Sequence, residues 1–389
     1  MRKISLLFVC LFVISFANAQ KNVITTAVPF LLVSADARSA GMADNGVASS
    51  ADAYSQQWNP AKYAFAIDKT GFAISYTPYL TDLVNDISLG QLNYYNRLNE
   101  RSAFAGSFRF FGLGNIELRE TGDPNEIPRT VSPNEFAFDG SYSLKLSEKF
   151  SMAVGARFIT SNLKVASDVG DASAASAFAI DVAGFFQTEE IAFSDFNGRW
   201  RAGFNIQNLG PKLSYDNTEF NSNFLPANMK LGAGFDFILD DYNKVAVNLE
   251  LGKLLVPTPQ DPDLNGDGTI TTEERNQNNR DYQSIGWLPG VGQSFSDAPG
   301  GFSEELKEVT YSLGTEYLYQ DSFALRAGYF QENKDKGARQ FFSLGAGFKY
   351  TAIKVDVSYL FSTSKVRNPL ENTLRFSLTF NFGDQYDEY

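Results

Sequence analysis

The sequence contains no histidine. That absence removes Ser-His-Asp and Cys-His nucleophile activation, and every histidine-based metal site, at once. Cysteine occurs once, at Cys10 inside an apolar stretch near the start, so the chain has no pair with which to form an internal disulfide. Positive charge is scarce: 33 Lys and Arg stand against 45 Asp and Glu, a formal net charge of −12. A nucleic-acid binder needs a basic footprint, which is missing here. Beyond residue 16 no segment carries the ~18 consecutive apolar residues of a membrane helix. Disorder is not expected either, because 35 Phe and 18 Tyr are spread along the 389 residues. That length would ordinarily allow two or three domains, but large barrels are single units.

The first residues read as an export address. Arg2 and Lys3 precede a mostly apolar stretch from Ile4 to Phe16, and Ala17-Asn18-Ala19 supplies small residues for cleavage. The expected cut follows Ala19 and makes Gln20 the first mature residue. The apolar stretch is too short for a membrane anchor. Cys10 lies in the wrong place for a lipoprotein. Removing residues 1–19 leaves 370 residues without cysteine and, with Arg2 and Lys3 gone, a net charge of −14.

What is present is period-two alternation. In 134–146, Phe136, Phe138, Tyr142, Leu144 and Leu146 share one face, opposite Ala137, Asp139, Ser141, Ser143 and Lys145. In 228–239, Met229, Leu231, Ala233, Phe235 and Phe237 oppose Lys230, Gly232, Gly234 and Asp236. Such segments recur near 70–80, 86–98, 102–113, 134–146, 150–160, 177–187, 199–209, 228–239, 244–255, 308–319, 323–330, 340–350, 353–361 and 373–382. Most approach the ~9–11 residues with which a tilted strand crosses a bilayer. A soluble sandwich or propeller also alternates. The even count, the cysteine-free exported chain and a face that stays apolar for the full strand length favour a membrane barrel. The expected fold is therefore all-β, a 14-stranded antiparallel transmembrane β-barrel. The pattern of 86–98 slips near Gly90, where a bulge is expected.

Connections after even strands are tight (99–101, 147–149, 240–243, 320–322 and 351–352), with 188–198 as the exception. Those after odd strands are often long: 114–133, 161–176, 210–227, 256–307 and 362–372. Outer-membrane barrels have short periplasmic turns and long outer loops, which puts both termini in the periplasm.

Inward positions are often glycine (Gly155, Gly203, Gly232, Gly234, Gly314, Gly345 and Gly347), as though making room for a filling. Residues 20–66 are the candidate. They lack sustained alternation but carry Val28, Phe30, Leu31, Leu32, Trp58 and Phe65, too apolar for a free periplasmic tail. They are expected to fold inward as an N-terminal luminal plug. Other inward positions carry Lys145, Arg157, Asp181, Arg201, Lys230, Asp236, Glu250, Arg326 and Lys349. Mixed charge of this kind suits a salt-bridged interior better than a greasy tunnel.

Three N-terminal motifs carry a resemblance: Asp36-Ala37-Arg38-Ser39-Ala40-Gly41-Met42, Gly46-Val47, and Trp58-Asn59-Pro60-Ala61. Together they resemble the N-terminal pattern of FadL-like outer-membrane proteins. Val28-Pro29-Phe30-Leu31, the long acidic loop before strand ten and the overall size make the whole chain resemble the PorV family, outer-membrane shuttles of type IX secretion in Bacteroidota. The resemblance implies fourteen strands, a luminal N-terminal plug and a non-enzymatic role. It implies binding of the C-terminal signal domains of secreted cargo at the large type IX translocon barrel, and delivery to the surface attachment complex. One departure from the usual barrel is that Gly383 to Tyr389 follow the last expected strand, so the terminal aromatic assembly signal is displaced or falls to Tyr389.

The sharpest local motif runs from Asp263 to Glu274. It matches an EF-hand loop, with Asp263, Asn265 and Asp267 at positions one, three and five and Gly268 at the turn. Thr269 offers its carbonyl at seven, Thr271 sits at nine and Glu274 is the bidentate ligand at twelve. Calcium is the expected ion; the plainer reading is a solvated acidic loop. Pro257, Pro259 and Pro262 preclude a long entering helix. Glu189-Glu190 and Glu304-Glu305 sit in connections and read as solvated faces, and no catalytic constellation is visible. The turn-rich stretch around Trp287-Leu288 and Phe295 reads either as a docking surface or as a lid on the barrel mouth.

The expected organisation is a signal peptide (1–19), a plug (20–66), an outer-membrane barrel (67–382) with a long extracellular loop (256–307), and a periplasmic tail (383–389). The barrel would sit among outer-membrane lipid. The alternative function is a FadL-like transporter of long-chain fatty acids or other hydrophobic compounds, which would need a continuous apolar lumen and a lateral opening.

Overall fold

A computed structural model describes residues 23–80, 84, 86–119, 127–163, 174–215, 222–364 and 370–386. The expected cleavage site at Ala17–Ala19 and the terminal Tyr389 lie outside these residues. Fourteen long strands form the wall: β1 (Asp68–Pro78), β2 (Ile87–Arg97), β3 (Ser102–Leu113), β4 (Asn134–Lys145), β5 (Phe150–Asn162), β6 (Ala175–Gln187), β7 (Asn197–Leu209), β8 (Asn228–Ile238), β9 (Asn243–Leu254), β10 (Thr310–Tyr319), β11 (Phe323–Gln331), β12 (Gln340–Tyr350), β13 (Ile353–Ser362) and β14 (Leu374–Gln385). Each pairs antiparallel with the next, and β14 pairs with β1, so the sheet closes and has no edge. Closure satisfies the wall's backbone groups, which is what the apolar part of a bilayer demands.

The alternation sorts side chains as the sequence implies. Phe138 stands outward between Phe108 on β3 and Phe158 on β5. Phe72, Phe104, Phe178, Leu249, Leu325 and Phe376 are all exposed on the outer face. The opposite positions are buried and mostly small or polar. The long turn at 188–198 folds into a short ladder, Ile191–Ala192 against Asn197–Gly198.

Two expectations are corrected. First, β2 has no bulge at Gly90: its register runs unbroken from Ser88 to Asn96 against β1, and from Ile87 to Arg97 against β3. The pattern only looked slipped because Leu89 and Tyr95 are apolar yet face inward, where the plug gives them apolar partners. The irregularities lie elsewhere, in β7 beside Asn208 (φ 60) and in β14.

Second, β14 does not stop at Phe382. Thr70 pairs with Phe382 but Asp68 with Gln385, and Gly383 at φ +92 takes up the extra residue as a bulge. The ring of Tyr386 beyond it lies 3.8 Å from the Arg97 guanidinium.

β14 finishes at the short-turn end, but the described N-terminal residues lie at the long-loop end. There the amide of Ala27 donates to the carbonyl of Phe224 (2.9 Å), in the connection between β7 and β8. Val28, Phe30 and Leu31 pack with Leu89, Ile159, Ala177, Leu213 and Leu225. Apolar side chains at both ends of this contact explain the placement.

Candidate functional site

From residue 27 to 66 the chain threads the barrel from the long-loop end to the start of β1, and nearly all of it is buried. It is built from short turns rather than long helices. Helix α1 (Ala37–Gly41) is capped by Asp36, whose Oδ1 accepts from the Ser39 amide (2.7 Å). The other oxygen of Asp36 accepts from the Trp58 indole (2.7 Å), tying α1 to α2 (Ser55–Trp58). Asn59 then caps the 3-10 turn Pro60–Phe65 through the Ala61 amide, and its amide group donates to the carbonyls of Val47 and Gly184 (both 3.0 Å). The family-like motifs are thus one hydrogen-bonded core. Gly46 belongs to it because a Cβ there would lie 2.3 Å from the Trp58 ring.

Five of the seven inward glycines, Gly203, Gly232, Gly234, Gly314 and Gly345, are contact points for this plug, whereas Gly155 and Gly347 meet atoms of the wall. Gly345 faces Gly41, with backbone atoms about 3 Å from where a Cβ would stand; Gly203 faces the Val47 carbonyl, and Gly232 faces Ala48. Gly328, which the sequence did not single out, meets Met42 and Ala43 in the same way.

Charges add to this packing. Arg38 on α1 donates to Glu316 of β10 (2.7 Å) and to Asp52 (2.8 Å). Glu316 also takes Arg326 of β11 (2.7 Å), which reaches Asp356 of β13 (2.7 Å). Across the lumen Arg157 joins Asp139 and Asp181, Arg201 joins Asp236, and Lys230 joins Glu250 (2.7 Å). The free oxygen of Glu250 accepts from the amides of Gly46 and Val47. Lys145 lies over the Phe65 ring. Eight of the nine charged inward residues named from sequence enter these contacts; Lys349 instead lines a polar vestibule. That cavity, of roughly 380 Å³, opens among Asp52, Asp68, Arg201, Lys244 and Lys354 towards the short-turn end.

The other end carries a structured cap made by the connection between β9 and β10. Its helices are α3 (Thr272–Ser284), α4 (Trp287–Gln293) and α5 (Phe302–Glu305). The Tyr282 hydroxyl donates to the Pro257 carbonyl (3.0 Å) and its ring meets Phe224 edge-on. Lys212 donates to the Gln283 carbonyl (2.8 Å). The cap therefore rests on the same Phe224 that holds the start of the plug.

The acidic loop keeps the expected turns. Asp263 accepts from the amides of Gly266 and Gly268, Asn265 from Asp267, and Asp267 from Thr269. Gly266 and Gly268 sit at φ +75 and +81. Thr271 and Glu274 form a capping box that starts α3, and no helix precedes the loop. Hydrogen bonds from the Thr271 amide and hydroxyl hold the Glu274 carboxyl below its ordinary value. Among the described residues, no three acidic side chains converge on one point. The donors suit a hard cation in kind and spacing, and binding one requires Asp263, Asp267 and Glu274 to close upon it.

Comparison with known proteins adds one finding of weight: the family model for type IX secretion system protein PorV matches residues 16–261. No curated protein matches the chain. Among solved structures, the TodX deltaS2S3 mutant monoaromatic hydrocarbon channel is 11% identical, covering 89% of this chain and 98% of its own, at a TM-score of 0.49. A FadL homologue from Pseudomonas aeruginosa is 13% identical, covering 90% and 98%, at a TM-score of 0.44. The Pseudomonas putida toluene transporter TodX is 12% identical, covering 88% and 95%, at a TM-score of 0.43. At these scores the likeness carries no argument, and the barrel stands on its own strand pairing.

Proposed function

This chain belongs to the PorV family of type IX secretion system proteins, and from that premise we propose that it is a non-enzymatic outer-membrane shuttle. In this reading the long-loop end faces outward and binds the C-terminal signal domain of cargo as it leaves the large translocon barrel. The chain then carries cargo to the surface attachment complex. The observation that supports this most is the filling of the lumen by the buried residues 27–66. A plug held to the wall by buried ion pairs such as Arg38–Glu316 leaves the outer loops and the cap as the working surface. Cargo would meet the connections 114–133, 210–227 and 256–307, where an extended segment can add its strand edge to a loop edge.

The alternative, transport of long-chain fatty acids or other hydrophobic compounds, requires an apolar passage where charged side chains now interlock. Purified chain reconstituted in sealed liposomes, presented with an isolated cargo signal domain and separately with fatty acid, distinguishes the two. Saturable binding of the domain without fatty-acid uptake supports the shuttle. Uptake without binding supports the transporter.

We also propose that Asp263, Asn265, Asp267, Glu274, the Thr269 carbonyl and Thr271 hold calcium. The ion would order the cap locally rather than switch the barrel. Extracellular calcium is plentiful, so even a weak site would fill. Chelation, or Glu274→Gln, should then speed proteolysis within 256–307 and leave the barrel folded. Equal cleavage with and without chelator would refute the site.

A further inference from the structure

The cap presents apolar side chains to solvent from a base that is anchored with unusual care. Lys253, at the end of β9, reaches Glu305 (3.0 Å) and Glu308 (2.7 Å). Lys336, from the connection between β11 and β12, reaches Glu308 (3.0 Å) and also pairs with Glu304. The Thr258 hydroxyl donates to Glu308 (2.7 Å), and the Ala298 amide to Glu305 (2.8 Å). The side chains of Lys253, Lys336, Glu305 and Glu308 are all at least nine-tenths buried. Helix α4 is pinned as well. Gly290 is pressed against Pro257 and Phe224, so that a Cβ there would lie 2.9 Å from the proline ring, and Ser294 one turn on is fully buried.

With those faces turned inward, the opposite faces point out. Leu288 is 63% exposed, Phe295 49%, Phe302 77% and Leu306 50%. Phe302 and Leu306 are one helical turn apart and share a face. Solvent-exposed side chains of this size are costly unless something covers them, and rigid anchoring lowers the entropy lost when it does. Charge narrows the partner. Residues 256–309 hold ten Asp and Glu against three Lys and Arg. At the base, Lys253 and Lys336 offset two of the three charges of Glu304, Glu305 and Glu308; the remaining surplus is negative.

We propose that Leu288, Phe295, Phe302 and Leu306 form an apolar docking ridge on a rigid, acidic cap, and that it receives a protein whose apolar cleft is rimmed by Lys and Arg. Resting on the shuttle reading, the partner is the signal domain of secreted cargo. The apolar ridge supplies affinity and the acidic surround supplies approach rate and register.

The test uses full-length chain in nanodiscs, the isolated cargo signal domain as probe, and the double variant Phe302→Ser/Leu306→Ser. Both positions are on the surface, so the variant should melt with the parent. The ridge predicts about tenfold or greater loss of affinity in the variant. It also predicts that raising salt from ~50 to ~500 mM slows association with the parent several-fold. Parental affinity in the variant overturns the ridge while leaving the shuttle reading intact. No binding by the parent chain overturns the shuttle reading and, with it, the partner assigned here. Trp287, beside Leu288, reports the remaining possibility. Read in a Trp200→Phe background, because Trp200 also stands exposed on the outer face of the wall, quenching of its fluorescence by brominated phospholipid in the nanodisc would place the ridge on the membrane and overturn docking.

Discussion

Replacing Glu316 with Gln should loosen the plug without opening the barrel wall. Glu316 is 2% exposed and lies between two guanidinium groups, Arg38 of the plug and Arg326 of β11, each at 2.7 Å. Gln preserves shape but removes the charge and turns an amide donor towards a cation. Breaking a buried pair by removing one partner costs about 3–5 kcal/mol. Both arginines keep a second carboxylate, Asp52 for Arg38 and Asp356 for Arg326, so the lower figure applies. About 3 kcal/mol is roughly a hundredfold in an opening equilibrium. The cost falls on plug seating, because Arg38 sits on α1 and the ladder of β10 loses no backbone bond. Apart from Cys10 the chain has no cysteine, so Ala40→Cys makes a clean reporter at a site 2% exposed on α1. Its maleimide labelling should be on the order of a hundredfold faster with Glu316→Gln, while heat-modifiable migration of the barrel stays unchanged. Equal labelling in both backgrounds would refute the claim that this ion pair seats the plug.

The same reporter reads two further changes. Asn59→Ala removes a cap and strips the Val47 and Gly184 carbonyls of a donor, costing about 1–2 kcal/mol and raising labelling about tenfold. Gly203→Ala places a Cβ 2.7 Å from the Val47 carbonyl, and a shift of the plug costing about 1–3 kcal/mol should appear as faster labelling. The cap has its own pH signature. Burial pushes the Glu308 carboxyl up, but hydrogen bonds from Lys253, Thr258 and Lys336 outweigh it and hold the group below its ordinary value. A carboxyl depressed on folding contributes stability that is complete above its unfolded value and is lost as pH falls through the folded one. Protection from hydrogen exchange in 256–309, taken relative to the intrinsic rate at each pH, should therefore hold down to about pH 5 and fall below about pH 4. Loss of protection near neutrality would contradict the ion-pair anchor.

Much of this was legible before any coordinates. Strand positions follow from alternation because one face must meet lipid along its whole length, and that constraint leaves a period of two in nearly every strand. The inward charges were legible for the complementary reason: a charge facing into a closed barrel must find a partner. Legibility failed where the plug supplied the environment. Leu89 and Tyr95 broke the alternation because their partners, Phe30 and Tyr63, come from a segment without periodicity. For the same reason the path of residues 27–33 to the long-loop end was invisible: it depends on the fit of Val28, Phe30 and Leu31 against side chains from five other elements. The last strand overran its expected end because the bulge at Gly383 breaks period two at that point. In the cap, sequence offered the acidic loop and the aromatic residues near 287–302. Only the structure separates the glutamates that anchor the base from the side chains that face out.

The most direct test of the central claim is a mild-detergent pull-down of the tagged chain from its native outer membrane, with mass spectrometry of what accompanies it. The account predicts a very large translocon barrel together with several secreted proteins that share a C-terminal domain. Recovery of this chain alone, with long-chain lipid bound inside it, would contradict the account and restore the transporter.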